Sequence, residues 1–152
     1  MDMGKRGFLR AGAALALVAA GLLRPLRAFA QQWNKAAFET KGVAATLKAL
    51  GGSGSTESAQ IQITAPDIAE NGAVVPITIE SAIPRTQSIA ILIEKNPTTL
   101  SASFDIPDGT DPFITTRVKM AETSNIYAVV RADGKYFHAA KEIKVTLGGC
   151  GG

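Results

Sequence analysis

A change of hydrophobic period after residue 55 constrains the fold more than any other feature of this sequence. From there to residue 147, apolar and polar side chains alternate in seven short segments separated by turn signals, the pattern of half-buried β-strands. The predicted strands span 60–64, 73–80, 88–95, 100–106, 113–120, 125–132 and 135–147. Many short strands of this kind are typical of an antiparallel arrangement, and we predict a mainly β, immunoglobulin-like sandwich. The Cys…Trp…Cys spacing of true immunoglobulin domains is absent, so the prediction concerns architecture alone.

Three local signals refine this prediction. The segment 88–95 places Ile89, Ile91 and Ile93 on one face and Leu92 on the other, which predicts a strand buried on both sides. The dipeptide 133–134, Asp-Gly, joins the last two segments and is the strongest hairpin signal in the chain. Pro76 lies inside the second segment and predicts an edge position or a bulge, because proline has no N–H for the sheet ladder.

The segment before the strands has a helical period. Apolar residues between Gln32 and Leu50 recur mostly at spacings of three and four, which predicts one amphipathic helix. Gly42 lies in its interior and is expected to weaken or split it. Residues 51–55, Gly-Gly-Ser-Gly-Ser, have the composition of a flexible linker.

The first thirty residues have the three-part build of an export signal. Residues 5–10 combine a basic pair with Phe-Leu and a further arginine, and a mildly apolar run of alanine, glycine and leucine follows to Leu23. Ala28 and Ala30 supply the small residues that a signal peptidase recognises, so we expect cleavage after Ala30. The basic pair is similar to a twin-arginine signal, with Lys5 in place of the first arginine. The apolar run is too short for the rival interpretation, a retained membrane anchor.

Charge is distributed unevenly between this signal and the rest of the chain. Residues 1–30 carry five basic side chains and one acidic side chain, which leaves eleven basic and twelve acidic residues in the mature part. A mature protein so close to neutral has no electrostatic footprint for nucleic acid. No later stretch is apolar for long enough to span a bilayer, and we therefore expect neither nucleic acid nor membrane as a partner.

Residues for conventional catalysis are scarce. His138 is the only histidine, and a single histidine within a strand is more often packed or solvated than a general base. One cysteine and one histidine do not make a zinc cluster, and no glycine-rich loop joins a strand to a helix to hold a phosphate. We therefore predict a protein that is not an enzyme and has no cofactor, metal or catalytic residues of its own.

The most informative residues are the last five, 148–152, which we call the carrier arm. They read Gly148, Gly149, Cys150, Gly151 and Gly152. A buried, inert Cys150 would need side chains to cover it, and a terminus built from glycines offers none. An unpaired cysteine in an exported protein implies either an intermolecular bond or a free reactive thiol.

These features suit a flexible arm that carries cargo on Cys150. From Leu147 to Cys150 an extended chain spans about 10 Å, so the sulfur can enter a narrow channel in another protein. The four glycines are expected to support this access by keeping the arm thin. No basic side chain lies within the arm to lower the thiol pKa below its ordinary value of about 8.5, so activation is expected from partner enzymes. The predicted organisation is thus signal 1–30, helix and linker 31–55, sandwich 56–147 and arm 148–152.

Five stretches of the mature chain form motifs. The most specific is KVTLGGCGG at 144–152, and the others are PDIAENG at 66–72, VPIT at 75–78, EKNP at 94–97 and TRVKMA at 116–121. Together they resemble the SoxY family, the sulfur-carrier subunits of the SoxYZ complex in thiosulfate oxidation. The resemblance covers most of the chain after the signal. It implies a periplasmic, immunoglobulin-like carrier that forms a heterodimer with a SoxZ-like subunit.

The resemblance also implies a series of transient partners. A SoxAX-like haem enzyme would join thiosulfate oxidatively to Cys150 as a cysteine S-thiosulfonate. A SoxB-like manganese hydrolase would release sulfate and leave a persulfide, and a SoxCD-like dehydrogenase would oxidise the remaining sulfur. Cys150 would then be the attachment point for substrate, with catalysis left to the partners.

Two other hypotheses fit the residues. An exported binding or structural β-sandwich could dimerise through a Cys150–Cys150 disulfide, because thiolate exchange makes such a bond easy for an exposed thiol. Alternatively, the final diglycine is similar to that of ubiquitin-like sulfur carriers, which use a terminal thiocarboxylate. Those carriers need ATP-dependent activation in the cytosol, which conflicts with an export signal.

Overall fold

The computed structural model describes residues 34–147, which form two short helices and nine strands. The helices are α1 (Lys35–Glu39) and α2 (Val43–Ala49). The strands are β1 (Thr56–Glu57), β2 (Ile61–Thr64), β3 (Ile68–Ala69), β4 (Val75–Ser81), β5 (Thr86–Ile93), β6 (Leu100–Asp105), β7 (Phe113–Val118), β8 (Ser124–Ala132) and β9 (Lys135–Val145).

The strands form two sheets. The larger sheet has the order β1-β9-β8-β5-β6, with β3 also paired to β9, and the smaller has the order β2-β4-β7. The pairings β2–β4, β4–β7, β5–β6, β5–β8 and β8–β9 are antiparallel, whereas β1 and β3 both run parallel to β9. The prediction of an immunoglobulin-like antiparallel sandwich is confirmed.

The core fills the space between the two sheets and is mainly aliphatic. Ile77 and Ile79 of the smaller sheet pack in one cluster with Ile89, Ile91 and Ile93 of the larger sheet. All five are at most 1% exposed, as expected from the alternation of these strands.

The outer face of the larger sheet is covered by the two helices. Leu92, on the opposite face of β5 from the three isoleucines, packs with Ala37 and Leu47 of the helices and with Val129 of β8. This confirms that β5 is buried on both faces.

Within the described residues, the helix predicted from Gln32 to Leu50 is split in two around Gly42, as expected of that glycine. The chain leaves the helix after Glu39 and re-enters it at Val43, and Gly42 between them has φ +93°, a conformation that favours glycine. The hydroxyl of Thr99 accepts the Gly42 N–H at 2.7 Å, so the break is held against the sheet.

Turn chemistry agrees with the predicted hairpin. Ala132 pairs with Lys135, and the two residues between them, Asp133 and Gly134, have φ +49° and +72°. Positive φ at both central positions is the pattern of a type I′ turn.

Pro76 lies at an edge position within its strand, which was one of the two predicted alternatives. Strand β4 is the central strand of the smaller sheet, but its pairing with β2 begins only at Thr78. At Pro76 the strand therefore has a neighbour on the β7 side alone. A residue without an N–H is tolerated at such a position, because the ladder is open on the other side.

All seven predicted strands are present, with ends shifted by at most two residues. Strands β1 and β3 were missed, because two residues are too few to show an alternating pattern. Within residues 34–147, neither helix is long and apolar enough to cross a bilayer.

Candidate carrier site at the end of β9

The residues predicted to form the site lie beyond the described part of the chain. Cys150, Gly148, Gly149, Gly151 and Gly152 all follow Leu147, the last described residue. What the structure describes is the segment from which the carrier arm starts. We call it the arm root: residues 144–147, together with the backbone of 67–72 that binds them.

Strand β9 continues past the end of its neighbour β8, and the residues beyond that point begin the arm root. The ladder between β8 and β9 starts at the pair Ser124–Ile143, so the residues after Ile143 have no partner on β8. The hydroxyl of Thr123 replaces that strand by accepting the Val145 N–H at 2.9 Å. Ile143 is fully buried, which fixes the strand immediately before the root.

Strand β3 binds the other side of the root. Ile68 pairs with Lys144 and Ala69 with Val145 in a parallel register. The Lys144 N–H donates to the Asp67 carbonyl at 3.0 Å, and the Thr146 N–H donates to the Ala69 carbonyl at 3.1 Å. Backbone bonds of this kind fix the course of the chain whatever the side chains are.

Two further bonds carry this support to the last described residue. The hydroxyl of Thr146 donates to the Glu70 carbonyl at 3.0 Å. The Leu147 carbonyl accepts the Gly72 N–H at 2.7 Å, and the Leu147 side chain is 70% exposed. The chain is therefore held through Leu147 at a solvent-facing position, three residues before Cys150.

A lysine ties the start of the β3 segment to β9. Lys141 Nζ lies 2.9 Å from Asp67 Oδ1 and donates to the Ala65 carbonyl at 2.6 Å. The Lys141 side chain is 29% exposed but the Asp67 side chain is 90% exposed, so water screens this ion pair and it contributes little by itself.

The side chain of Asn71 holds the turn that contains Gly72. Asn71 Oδ1 accepts the Ala73 N–H at 2.8 Å, the short-range bond that makes asparagine a turn residue. Gly72 is buried, and its carbonyl accepts the Met120 N–H at 2.7 Å. Gly72 thus links the end of β9 with the segment after β7.

His138 lies far from the arm root along β9. Its Nδ1 is 2.9 Å from the Ser55 hydroxyl, and its ring packs near Tyr127 with centroids 6.1 Å apart. Seven residues separate it from Val145, which is about 23 Å along a strand. Its contacts are those of a packed residue that joins the linker to the sheet. Within residues 34–147, no three potential metal-binding side chains of the His, Cys, Asp or Glu type come together.

Comparison with known proteins identifies the family. The family model of the sulfur oxidation protein SoxY matches residues 47–150, which is more than half of the chain. The chain belongs to the SoxY family. The match extends through the position of Cys150 and includes the whole of the described sandwich from β1 onward.

A solved SoxY structure supports this assignment. The sulfur carrier protein SoxY from Chlorobium limicola f thiosulfatophilum is 41% identical, with a TM-score of 0.59, over 66% of this chain and 93% of that chain. A chain from a structure of T cell activation by toxic shock syndrome toxin-1 matches at 12% identity and TM-score 0.39, over 56% of this chain and 98% of that one. A lytic polysaccharide monooxygenase from Jonesia denitrificans matches at 15% identity and TM-score 0.37, over 61% and 58%. No curated protein matches significantly.

The SoxY motifs of this sequence have structural roles that the sequence did not reveal. The stretch 66–72 supplies β3 and Gly72, and it lines the arm root. The stretches 94–97 and 116–121 meet at Asn96, whose amide bonds to both Lys119 and Ala121. Three of the five motifs, at 66–72, 94–97 and 116–121, are thus connected by hydrogen bonds to the end of β9 or to one another, whereas 75–78 lies within β4.

Proposed function

We propose that this chain is an exported carrier subunit that holds thiosulfate-derived sulfur covalently on Cys150. The observation that supports this most directly is the arm root of a SoxY-family sandwich. Hydrogen bonds hold the chain through Leu147, and the only cysteine in the sequence follows three residues later. Three residues span about 10 Å, which places the sulfur within reach of a second protein beyond the sandwich.

In the proposed loading step, the Cys150 thiolate forms a sulfur–sulfur bond with the terminal sulfur of thiosulfate. Two electrons leave for a haem enzyme of the SoxAX kind, and the product is a cysteine S-thiosulfonate. A hydrolase of the SoxB kind then uses one water to release sulfate and a proton, leaving a persulfide on Cys150. Where a SoxCD-like dehydrogenase is present, it oxidises the persulfide to a cysteine S-sulfonate with three waters, releasing six protons and passing six electrons to a cytochrome c acceptor. A further hydrolysis then releases sulfate.

The chemical groups around the arm root indicate which tasks belong to the carrier and which to its partner enzymes. The described residues nearest the arm root contribute mainly backbone carbonyls, N–H groups and hydroxyls, which position a chain but do not transfer protons efficiently. The carrier therefore presents the cargo, and the partner enzymes supply the chemistry. We propose a SoxZ-like subunit as its stable partner and the periplasm as its location, in line with the predicted export signal.

Replacing the sulfur with oxygen tests the proposal. The Cys150→Ser variant keeps the size of the side chain but removes the nucleophile, so we expect normal folding and partner association with no thiosulfate-dependent electron transfer. The measurement is reduction of cytochrome c by the reconstituted system, with wild-type carrier as the matched control. Electron transfer at the wild-type rate would refute the assignment and would favour a thiocarboxylate on the terminal glycine.

A further inference from the structure

The position of Gly72 decides where the carrier arm leaves the sandwich. Its N–H donates to the Leu147 carbonyl, the last described bond before the arm. If that bond opened, the next described bonds would be those of Thr146, and the extended length from the last bonded described residue to Cys150 would rise from about 10 Å to about 13 Å. What holds Gly72 therefore determines how far the arm reaches.

Gly72 is held from the side opposite Leu147 by Met120. The Met120 N–H donates to the Gly72 carbonyl at 2.7 Å, and the Met120 side chain is fully buried in the core between the sheets. Met120 lies two residues beyond the end of β7, however, so the ladder between β4 and β7 does not fix its backbone. Besides the burial of the Met120 side chain, a group from another segment holds the backbone of residues 119–121 in place.

Asn96 is that group. Its Nδ2 donates to the Lys119 carbonyl at 2.8 Å, and its Oδ1 accepts the Ala121 N–H at 2.9 Å. The two bonds bracket Met120 on both sides. Asn96 is 8% exposed, and buried polar atoms of this kind lose much more than one weak bond when their partner is removed.

We propose that Asn96 is a positioning residue for the carrier arm. Through residues 119–121 it fixes Met120, through Met120 it fixes Gly72, and through Gly72 it fixes the Leu147 carbonyl. We call these four hydrogen bonds, from Asn96 to the Leu147 carbonyl, the series. The series joins four segments that are distant in sequence, and every bond in it is between 2.7 and 2.9 Å. The consequence for catalysis rests on the proposed function, because the starting point of the arm matters only if Cys150 must enter other proteins.

Under the proposed function, weakening these bonds would lower the affinity with which the arm docks into partner enzymes. A longer and freer arm loses more conformational entropy when a channel orders it, so docking weakens while the chemistry within the channel is unchanged. The expected signature is a rise in KM for the carrier with little change in kcat. A general loss of folded protein would instead lower the apparent concentration of carrier.

Two variants of Asn96 and one control separate these effects. Asn96→Ala removes both bonds, whereas Asn96→Asp keeps the size but sets a carboxylate oxygen against the Lys119 carbonyl, so that two acceptors face each other. The control is Asn125→Ala. Asn125 is half-buried, and its Nδ2 donates to the Glu94 carboxylate, outside the hydrogen bonds that run from Asn96 to Leu147.

The direct test uses hydrogen exchange and a spin label on the full chain. Cys150 is the only cysteine, so a nitroxide attaches there without other changes. We expect either Asn96 variant to lower the protection of the Gly72 and Met120 amides about tenfold or more, with the β5 amides unchanged and the label more mobile. Asn125→Ala should alter none of these. Unchanged Gly72 protection and label mobility in folded Asn96 variants would overturn the proposal.

A measurement on the wild-type chain keeps the proposal testable if the variants fold poorly. One opening event should release both amides, so Gly72 and Met120 are expected to share a single protection factor, within about threefold, below that of the core strands. Unrelated protection factors for the two amides would contradict the series. None of these readouts uses thiosulfate, so a failure of the positioning role is distinguishable from a failure of the carrier function.

Discussion

Gly52 lies where helix α2 ends and the chain turns back beneath Tyr136. The Gly51 N–H donates to the Lys48 carbonyl and the Gly52 N–H to the Leu47 carbonyl, and Gly51 has φ +95°. This is the Schellman arrangement that ends many helices. A Cβ at Gly52 would lie 2.9 Å from Leu47 Cδ1 and 3.1 Å from Tyr136 Cδ2, so the helix end is packed directly onto the sheet.

We expect Gly52→Ala to destabilise the sandwich. Leu47 is buried and has little room to move, and overpacking of this kind lowers the free energy of unfolding by about 1–3 kcal/mol. Gly54→Ala is the matched control in the same linker, because a Cβ there meets no atom within 4 Å. Urea denaturation measures both. Equal stability of the two variants would show that the helix end yields without cost.

At the scale of elements, the hairpin between β8 and β9 depends on backbone conformation at two residues. Strand β9 carries the arm root, and nine of its residues pair with β8 from Lys135 to Ile143. The turn that sets this register needs positive φ at Asp133 and Gly134. The side chains of Asp133 and Arg85 also form an exposed ion pair, which contributes little.

Substitutions at Gly134 test this dependence. Gly134→Ala forces a side chain into the left-handed region and is expected to lower the free energy of unfolding by about 1–2 kcal/mol. Gly134→Asn should cost less, because asparagine tolerates that conformation better than alanine. Thermal or urea unfolding of the two variants gives the comparison. A ranking with alanine as the more stable variant would contradict the turn assignment.

The strands and helices also show how much of the fold could be predicted from the sequence. Alternation predicted all seven longer strands, and the isoleucines of β5 were assigned to the correct face. Strands β1 and β3 could not be predicted, because each exists only through pairing with β9, far away in the chain. The helix was predicted but not the form of its break, which depends on a contact between Gly42 and Thr99 across 57 residues.

The candidate site also has one part that was selected from the sequence and one part that was not. Cys150 and its glycines were selected by composition, because a single cysteine between glycines lacks the neighbouring side chains that a buried thiol needs. They stay a prediction, because they lie outside residues 34–147. The arm root could not be selected in this way, since its backbone bonds join residues up to 77 positions apart and leave no residue type as a signal. The one side chain that a sequence could have flagged is Asn96, within the stretch EKNP, whose role depends on residues 119–121.

At the scale of the whole molecule, the described fold holds β9 firmly along its length. Helices cover one face of the larger sheet, the smaller sheet covers the other, and β3 with Gly72 secures the end. Such a body suits a carrier, because the last described hydrogen bond, at the Leu147 carbonyl, gives the five-residue arm a defined starting point. Under the proposed function, the thinness of the arm then limits which channels it can enter.

Bulky residues in the arm test that last point. Replacing Gly149 and Gly151 with valine should slow turnover with the partner enzymes without changing the stability of the sandwich, because valine widens and stiffens the entering segment. Steady-state rates with the reconstituted partners, compared with urea unfolding of the same protein, provide the measurement. Unchanged turnover would show that a slim arm is unnecessary.

The most direct test of the carrier function is the mass of the protein taken from cells that are oxidising thiosulfate. We predict added sulfur or a thiosulfonate group that tandem mass spectrometry locates on Cys150 and that a thiol reductant removes. A Cys150 found only as the unmodified thiol, or only in disulfide-linked pairs of this chain, would contradict the assignment.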